Sequence, residues 1–360
     1  MAEQKSRQHT GAAATLSAWI LGTATAVFAA CALISGNSAE AAEHPVWQPL
    51  LRVHDKMSLM LGNDRIGSVY VTGERLLPHL DEPESDTVYQ AANAVNQYAA
   101  SQGASVYMLA VPTSAGIYGD MLSDSVPLTN EYQLLRTFSD ALQEPVLWLE
   151  ASSWLSGERE HYIYYRTDPH WTSYGAFCVY RSAIRKLGFS AYGYDQFMVT
   201  HFNSRYYGEL SHRSHYYDIL PDTVDLYECT EQTQPVKVTS LRAAGNEVLP
   251  GYFLTDLPEA ADAPEKVFAL ETEPVLRIET ENQSSKDLLL LTDRCGCSMI
   301  PFLMQHYRMI TAVDLPACSE IDWRGLTAGS YSQVLILCGT DTISAEDGLQ
   351  QFLAPQESEP

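Results

Sequence analysis

Asp168 and His170 are the residues whose types and spacing best suit catalysis. Pro169 separates them, and because a residue before proline avoids the α conformation, both side chains are expected on one side of an extended backbone. A carboxylate held there can orient an imidazole, which then acts as a general base. The same spacing also suits a turn at a helix start, in which Asp168 only accepts hydrogen bonds from backbone donors. The spacing alone leaves both interpretations open.

Arg166 and Trp171 flank this pair and are predicted to line a pocket around it, although Trp171 also suits a plain core position. Four tyrosines within residues 206–217 could stack on sugar rings, but aromatic pairs in hairpins more often pack across strands. His212 and His215 could bind a metal, yet their segment lacks helical periodicity and favours a solvated loop. No cofactor or metal is therefore expected.

Residues 165–176, Tyr-Arg-Thr-Asp-Pro-His-Trp-Thr-Ser-Tyr-Gly-Ala, resemble the signature of the DHHW protein family, with Pro169 where the family has its first histidine. Further stretches match in the same order at residues 207–210, 221–227, 288–303 and 334–337. The resemblance thus covers roughly residues 50–353. The family is similar to the SGNH-type hydrolases and, more distantly, to extracytoplasmic proteins that O-acetylate alginate. It implies that Asp168 and His170 work with a serine from a later Asp-Ser turn.

Arg294 stands where the resemblance places that serine, because Asp293 aligns with the Asp of the turn without a gap. Arginine cannot be a nucleophile, since its guanidinium stays protonated. One hypothesis is an inactive acyl-transfer site that Arg294 converts into a site for an anion or a sugar. A second is that Cys295 or Ser298 becomes the nucleophile in a reshaped turn, activated by His170. An unrelated chemistry, a mistaken alignment or a plain surface salt bridge of Arg294 are further alternatives.

A degraded catalytic centre makes a geometric prediction for Arg294. Its side chain is expected in the same pocket as His170, with Asp168 or Asp293 close enough to compensate its charge. A buried guanidinium that lacked such a partner would lower the pKa of the imidazole by like-charge repulsion and leave it neutral near pH 7.

The elements that must position these residues follow an α/β rhythm, in which buried apolar strands alternate with amphipathic helices. Strands are predicted at residues 106–111, 146–149, 288–291, 309–315 and 334–337, and helices near residues 85–102, 131–142, 173–187 and 300–307. This pattern, with the resemblance, predicts an α/β three-layer sandwich of the SGNH or flavodoxin-like type with a mostly parallel sheet. The domain is expected to span residues 45–355 with a β-rich insertion at about 195–285. Residues 356–360 are expected to form a disordered tail.

Charge and hydropathy indicate an exported protein. Acidic residues outnumber basic residues by 45 to 22, and so negative a chain repels phosphate backbones, which argues against nucleic acid as a partner. Residues 10–38 carry no charged side chain and follow Lys5 and Arg7. Residues 1–44 are therefore expected to contain a short cytoplasmic tail followed by an export segment. Residues 12–34 suit an uncleaved membrane anchor, whereas Ala39-Glu40-Ala41 would suit signal cleavage. Either way the main body is expected outside the cytoplasm, tethered to the membrane or secreted.

Two classes of function follow from these residues. The first is an envelope polysaccharide-binding or scaffolding protein whose carbohydrate-ester site is inactive. The alternative is an active carbohydrate O-acetyltransferase or acetylesterase that uses Asp168 and His170 with Cys295 or Ser298. A membrane protein that exports acetyl groups would then be a partner.

Overall fold

The computed structural model describes residues 59, 62–123, 125–230, 237–280 and 282–353. The chain divides into two compact units, residues 1–66 and residues 67–360. Strand β1 (Arg65–Ile66) lies in the first unit. The predicted export segment, the domain boundary near residue 44 and the tail 356–360 lie outside the described residues. Within the described ranges, no helix has the length and apolarity that crossing a membrane requires.

The second unit contains the α/β elements. Its strands are β2 (Val69–Val71), β3 (Leu76–Pro78), β4 (Ser105–Val111), β5 (Val146–Glu150), β6 (Phe197–Tyr206), β7 (Asp222–Cys229), β8 (Lys237–Ser240), β9 (Glu247–Leu249), β10 (Val275–Glu279), β11 (Asp287–Thr292), β12 (Met309–Asp314) and β13 (Gln333–Gly339). Its helices are α1 (Ser85–Ala100), α2 (Ser114–Tyr118), α3 (Glu131–Ala141), α4 (Ala151–Ser156), α5 (Ser173–Lys186), α6 (Glu209–Ser214), α7 (Glu259–Asp262), α8 (Ile300–Leu303), α9 (Trp323–Leu326), α10 (Thr340–Ser344) and α11 (Leu349–Phe352).

An eight-stranded sheet in the order β5-β4-β13-β11-β12-β10-β8-β9 organises this unit. The first five strands pair in parallel, which confirms the predicted mixed α/β fold with a mostly parallel sheet. Strands β10, β8 and β9 continue it in antiparallel pairing. These three strands come from the predicted β-rich segment 195–285, whose β6 and β7 form a separate two-stranded sheet. Part of that segment therefore extends the central sheet at one edge.

Helices pack on both faces of the sheet because its central strands are apolar on both sides. On β4, Tyr107 and Leu109 face a cluster that includes side chains of α4, α5 and α8. Val106 and Met108 face a second cluster that includes α1, α3 and α9. This unbroken burial is what a parallel strand covered on both sides requires.

Helix α5 fixes the position of the Asp168–His170 segment. Thr172 caps the start of this helix, because its side chain accepts a hydrogen bond from the backbone N–H of Gly175 at 3.1 Å. Gly175 also lets the helix approach the preceding chain closely, because a Cβ there would lie 2.2 Å from the carbonyl oxygen of Ile163. The helix start is therefore pressed against the segment that carries His170.

One predicted helix is shorter than expected. Helix α8 ends at Leu303 instead of reaching residue 307. The chain then tightens into turns in which the His306 backbone donates to the carbonyl of Leu303 at 3.0 Å. These turns place Nε2 of His306 2.7 Å from the Tyr180 hydroxyl, so the change from helix to turn serves packing against α5.

Candidate active site

The Asp168–His170 pair lies in a tight hairpin formed by residues 164–171. Tyr164 and Trp171 form an antiparallel bridge at its base, and the Tyr165 backbone donates to the carbonyl of His170 at 3.3 Å. The hairpin presents both predicted catalytic side chains from one short stretch of backbone.

The structure brings Asp168 and His170 into direct contact. Oδ1 of Asp168 lies 2.7 Å from Nδ1 of His170 and also accepts a hydrogen bond from the His170 backbone at 3.0 Å. Oδ2 accepts from the Tyr206 hydroxyl at 2.9 Å and from the Glu209 backbone at 3.1 Å. With 1% of its side chain exposed, Asp168 can hold the ring in one orientation, which is the role that a catalytic dyad requires.

Both members of the pair are charged near neutral pH. Burial opposes ionisation of Asp168, but the Arg294 guanidinium and the His170 ring outweigh it and hold the carboxyl pKa well below its usual range. Burial likewise opposes protonation of His170, yet the Asp168 charge and hydrogen bond raise its pKa from 6.5 to about 9. The ring is therefore an imidazolium. Arg294 does act to lower the pKa of His170, but the nearby Asp168 carboxylate raises this pKa more strongly. The pKa would fall only if the guanidinium had no carboxylate partner, and Arg294 has such partners.

Arg294 occupies the turn that follows β11. Its Nε donates to Oε1 of Glu271 at 2.9 Å, and its Nη1 lies 3.7 Å from Oδ2 of Asp168. Of the two predicted charge partners, Asp168 is used and Asp293 is not. Asp293 instead accepts from the Cys295 backbone at 2.9 Å and the Gly339 backbone at 2.7 Å. The carboxylates of Glu271 and Asp168 thus hold the Arg294 guanidinium next to the dyad.

A cavity of about 30 Å³ lies beside both His170 and Arg294. It is lined by Tyr165, Asp168, His170, Trp171, Tyr206, Glu265, Phe268, Glu271, Arg294, Cys297 and Ser298. This volume holds one or two water molecules. The cavity is therefore too small for a sugar ring.

The two substitute nucleophiles lie in different surroundings. Cys295 is a buried free thiol, and burial, followed by the Asp293 carboxylate, raises its pKa well above the usual range. Its carbonyl accepts a hydrogen bond from Nε1 of Trp171 at 3.0 Å, so Trp171 anchors the 294–296 turn as well as lining the cavity. Ser298 lines the same cavity as His170. Cys295 is thus held as a neutral thiol, whereas Ser298 is one of the residues that line the cavity.

Asp222 holds the backbone just before Asp168 in place, a role that the sequence analysis did not predict. This fully buried carboxylate accepts hydrogen bonds from the backbone of Arg166 at 2.7 Å and of Thr167 at 2.8 Å. It also accepts from the hydroxyls of Tyr162 and Thr167, each at 2.5 Å. The residues just before Asp168 are therefore fixed by one distant side chain. The sequence signal for this role is the stretch 221–227, which contains Asp222 and resembles the family.

Gly208 is a second supporting residue that sequence reasoning missed. Its backbone donates to Oγ1 of Thr167 at 2.8 Å, and a Cβ at this position would lie 2.4 Å from Cβ of Asp168. Only glycine fits so close to the carboxylate.

Two predicted pocket groups lie elsewhere. The Arg166 guanidinium lies 4.6 Å from the ring centroid of Tyr162 and 3.8 Å from Oδ1 of Asp222, and Arg166 does not line the cavity. Tyr207 packs edge-on against Tyr217 with ring centroids 5.2 Å apart. Tyr206 is the tyrosine of that group that reaches the site. In the described part of the chain, no group of three or more His, Cys, Asp or Glu side chains could hold a metal ion.

Comparisons with known proteins identify the family and related folds. The family described as DHHW protein matches residues 56–313. The chain is similar to a DHHW family protein from Eubacterium siraeum, with a TM-score of 0.64 and 18% identity over 79% of this chain and 93% of that one. It is similar to Bacillus cereus PatB1, solved with a sulfonyl adduct, with a TM-score of 0.64 and 17% identity over 79% and 98% of the two chains. The O-acetyltransferase domain of Pseudomonas putida AlgJ matches with a TM-score of 0.48 and 14% identity over 80% and 96%. No curated protein matches the sequence.

Proposed function

The chain belongs to the DHHW protein family, and from this premise we propose that it is an extracytoplasmic protein that binds an envelope polysaccharide at a former carbohydrate-ester site. The Asp168–His170 pair is the remnant of that site, and Arg294 replaces the serine nucleophile. The fold is of the SGNH three-layer type.

The observation that carries this proposal is the set of contacts made by Arg294. Its guanidinium donates to Glu271 at 2.9 Å and lies 3.7 Å from Asp168, so two carboxylates hold it beside the imidazole. A guanidinium cannot attack an acyl carbon. His170, whose pKa the Asp168 contact raises to about 9, is mostly protonated near neutral pH, which disfavours its action as a general base. These two features support the loss of both groups that acyl transfer needs.

The exposed parts of the site favour a polar ligand. About 17% of the His170 side chain, 27% of Arg294 and 40% of Glu209 remain accessible. They offer hydrogen-bond donors and acceptors side by side, which suits the hydroxyl groups of a sugar. The cavity itself is too small for a sugar ring, so the glycan lies across its mouth.

An active enzyme is the second candidate, because Ser298 lines the cavity together with His170. In that case Ser298 is the nucleophile of a carbohydrate O-acetyltransferase or acetylesterase. PatB1 carries a sulfonyl adduct, and sulfonyl fluorides react with activated hydroxyl groups. The same reagent therefore separates the two candidates in this chain.

The test measures turnover and binding on the same proteins. Hydrolysis of p-nitrophenyl acetate and labelling by phenylmethylsulfonyl fluoride, followed by mass spectrometry, report on a nucleophile. Binding to purified envelope polysaccharide reports on the glycan site, with Arg294→Ala as the test variant and Arg308→Ala as its control. Arg308 is an exposed arginine paired with Asp287. We expect saturable binding that Arg294→Ala weakens and Arg308→Ala does not, without turnover or a sulfonyl adduct.

A natural protein that hydrolyses the ester, loses that activity in His170→Ala and carries the adduct on Ser298 would establish the enzyme instead. Absence of polysaccharide binding would contradict the binding role. The extracytoplasmic placement is tested by protease treatment of intact cells, which should remove the main body. Full protection would contradict it.

A further inference from the structure

A second cavity, of about 480 Å³, lies on the face of the sheet opposite the His170 site. Six of its lining residues matter to its chemistry: Gln97, Tyr98, Leu289, Trp323, Arg324 and Tyr331. Leu289 belongs to the hydrophobic cluster around α1 and α9, whereas its neighbours Leu288 and Leu290 belong to the cluster on the His170 side. Small-molecule pockets span roughly 300–1,000 Å³, so this cavity has the size of a binding site.

Arg324 contributes a positive charge to this cavity. Its guanidinium lies 4.4 Å from the ring centroid of Trp323, and among the described residues it has no carboxylate within ion-pair distance. The nearby Asp322 carboxylate instead accepts a hydrogen bond from the Gly325 backbone at 2.9 Å. In a chain with 45 acidic and 22 basic residues, a half-buried arginine without an ion pair leaves a charge for a ligand to neutralise.

Two further donors border the same cavity. Within the described part of the chain, neither the Tyr98 hydroxyl nor Nε1 of Trp323 makes a hydrogen bond, and neither is among the side-chain atoms that are both buried and unpaired. Both donor atoms therefore remain accessible at the cavity that their residues line. Burial raises the pKa of Tyr98 to about 12, so this hydroxyl keeps its proton. The Tyr331 hydroxyl, in contrast, already donates to the carbonyl of Thr327 at 2.8 Å. Arg324, Tyr98 and Trp323 thus offer donors that no acceptor from the described residues engages.

We propose that this cavity binds a carboxylate-bearing small molecule of about the size of one or two sugar units. Arg324 pairs with the carboxylate, and the Tyr98 hydroxyl and the Trp323 ring nitrogen donate to further oxygen atoms of the ligand. A half-buried arginine pairs with a carboxylate through charge-assisted hydrogen bonds, which neutral sugars cannot match. The ligand class follows from the positive charge of Arg324 and from the two neighbouring donors that border the same cavity.

The experiment is isothermal titration calorimetry of the full chain with D-glucuronate, and with D-glucose as the probe of similar size that lacks the carboxylate. Arg324→Gln removes the charge, and Tyr98→Phe removes one hydroxyl with little change in shape. Arg136→Gln is the matched control, since Arg136 lies on α3 with 63% of its side chain exposed and outside the cavity lining. Thermal unfolding of each variant verifies that it is folded.

We expect the natural protein and Arg136→Gln to bind glucuronate at least tenfold more tightly than glucose. Arg324→Gln should weaken glucuronate binding at least tenfold, and Tyr98→Phe severalfold. Equal binding of the two sugars, binding that survives Arg324→Gln, or no binding of glucuronate to the natural protein would each overturn the proposal. Polysaccharide binding through Arg294 should be unchanged in Arg324→Gln, so the two sites fail or succeed independently.

Discussion

The charge state of His170 predicts how the stability of the protein depends on pH. The folded pKa of about 9 lies above the ordinary value of 6.5, so the folded protein holds a proton that the unfolded chain releases first. This contribution to stability is fully present below about pH 6.5 and is lost as the pH rises through about 9. His170→Gln removes the titrating group and therefore this part of the pH dependence.

The expected magnitude follows from the two pKa values. A difference of about 2.5 between them corresponds to about 3 kcal/mol in total, of which about 2 kcal/mol is lost between pH 7 and 9. The group needs no large discount for solvent screening, because only 17% of its side chain is exposed and its partner Asp168 is buried.

The assay is urea unfolding of the natural protein and of His170→Gln near pH 7 and pH 9. Buried thiols such as Cys295 also resist ionisation in the fold and lower its stability at high pH, so the comparison is between the two proteins and not between the two pH values alone. The natural protein should lose about 2 kcal/mol more than His170→Gln over this range. His201→Gln is the matched control, because His201 has a similar ion pair with Asp225 at 2.6 Å but 72% exposure, and exposed pairs contribute little. Equal losses in the natural protein and His170→Gln would refute the imidazolium assignment.

Two substitutions and one labelling experiment test the residues that surround the Asp168–His170 pair. Asp222→Asn should cost about 2 to 4 kcal/mol in urea unfolding, because buried donors lose their charged acceptor, and NMR titration should show a lower pKa of His170; an unaltered titration would argue against Asp222 as a positioning residue. Gly208→Ala should cost about 1 to 3 kcal/mol, since the added Cβ would meet Asp168 at 2.4 Å, and an unchanged unfolding midpoint would contradict this close approach. The Cys295 thiol should react with iodoacetamide, followed by mass spectrometry, only after unfolding; rapid labelling of the native protein would contradict its burial.

The sequence predicts most of the parallel sheet because its central strands carry a signal in every residue. Residues 106–111 and 288–291 are apolar without interruption, which only a strand covered on both faces requires. The sequence does not predict the antiparallel edge in detail, because β8, β9 and β10 are short and their residue types do not indicate which strand each one pairs with. Strand pairing of this kind depends on the rest of the sheet.

The dyad could be predicted because it is local, whereas its supports are not. Asp168 and His170 are two residues apart, so backbone geometry alone brings them together. Arg166 was predicted to line the pocket, but it is not among the residues that line the cavity. It contributes to the site through its backbone N–H, which donates a hydrogen bond to Asp222 at 2.7 Å. Tyr206 was considered for sugar contact, but its hydroxyl donates to Asp168. Such roles depend on side chains that approach from other elements, and spacing along the chain does not encode them.

The long sequence separations around Asp168 also bear on the order of folding. The 164–171 hairpin closes through a contact between Tyr165 and His170 only five residues apart, a step that short chains complete rapidly. The remaining partners of the carboxylate come from Tyr206, 38 residues later, from the Glu209 backbone, and from Arg294, which follows the central strand β11. Contacts so far apart in sequence form slowly, since each must first overcome the entropy of closing a long loop. We therefore expect the hairpin to form before Asp168 gains its distant partners, so that the complete site forms later than the turn that carries it.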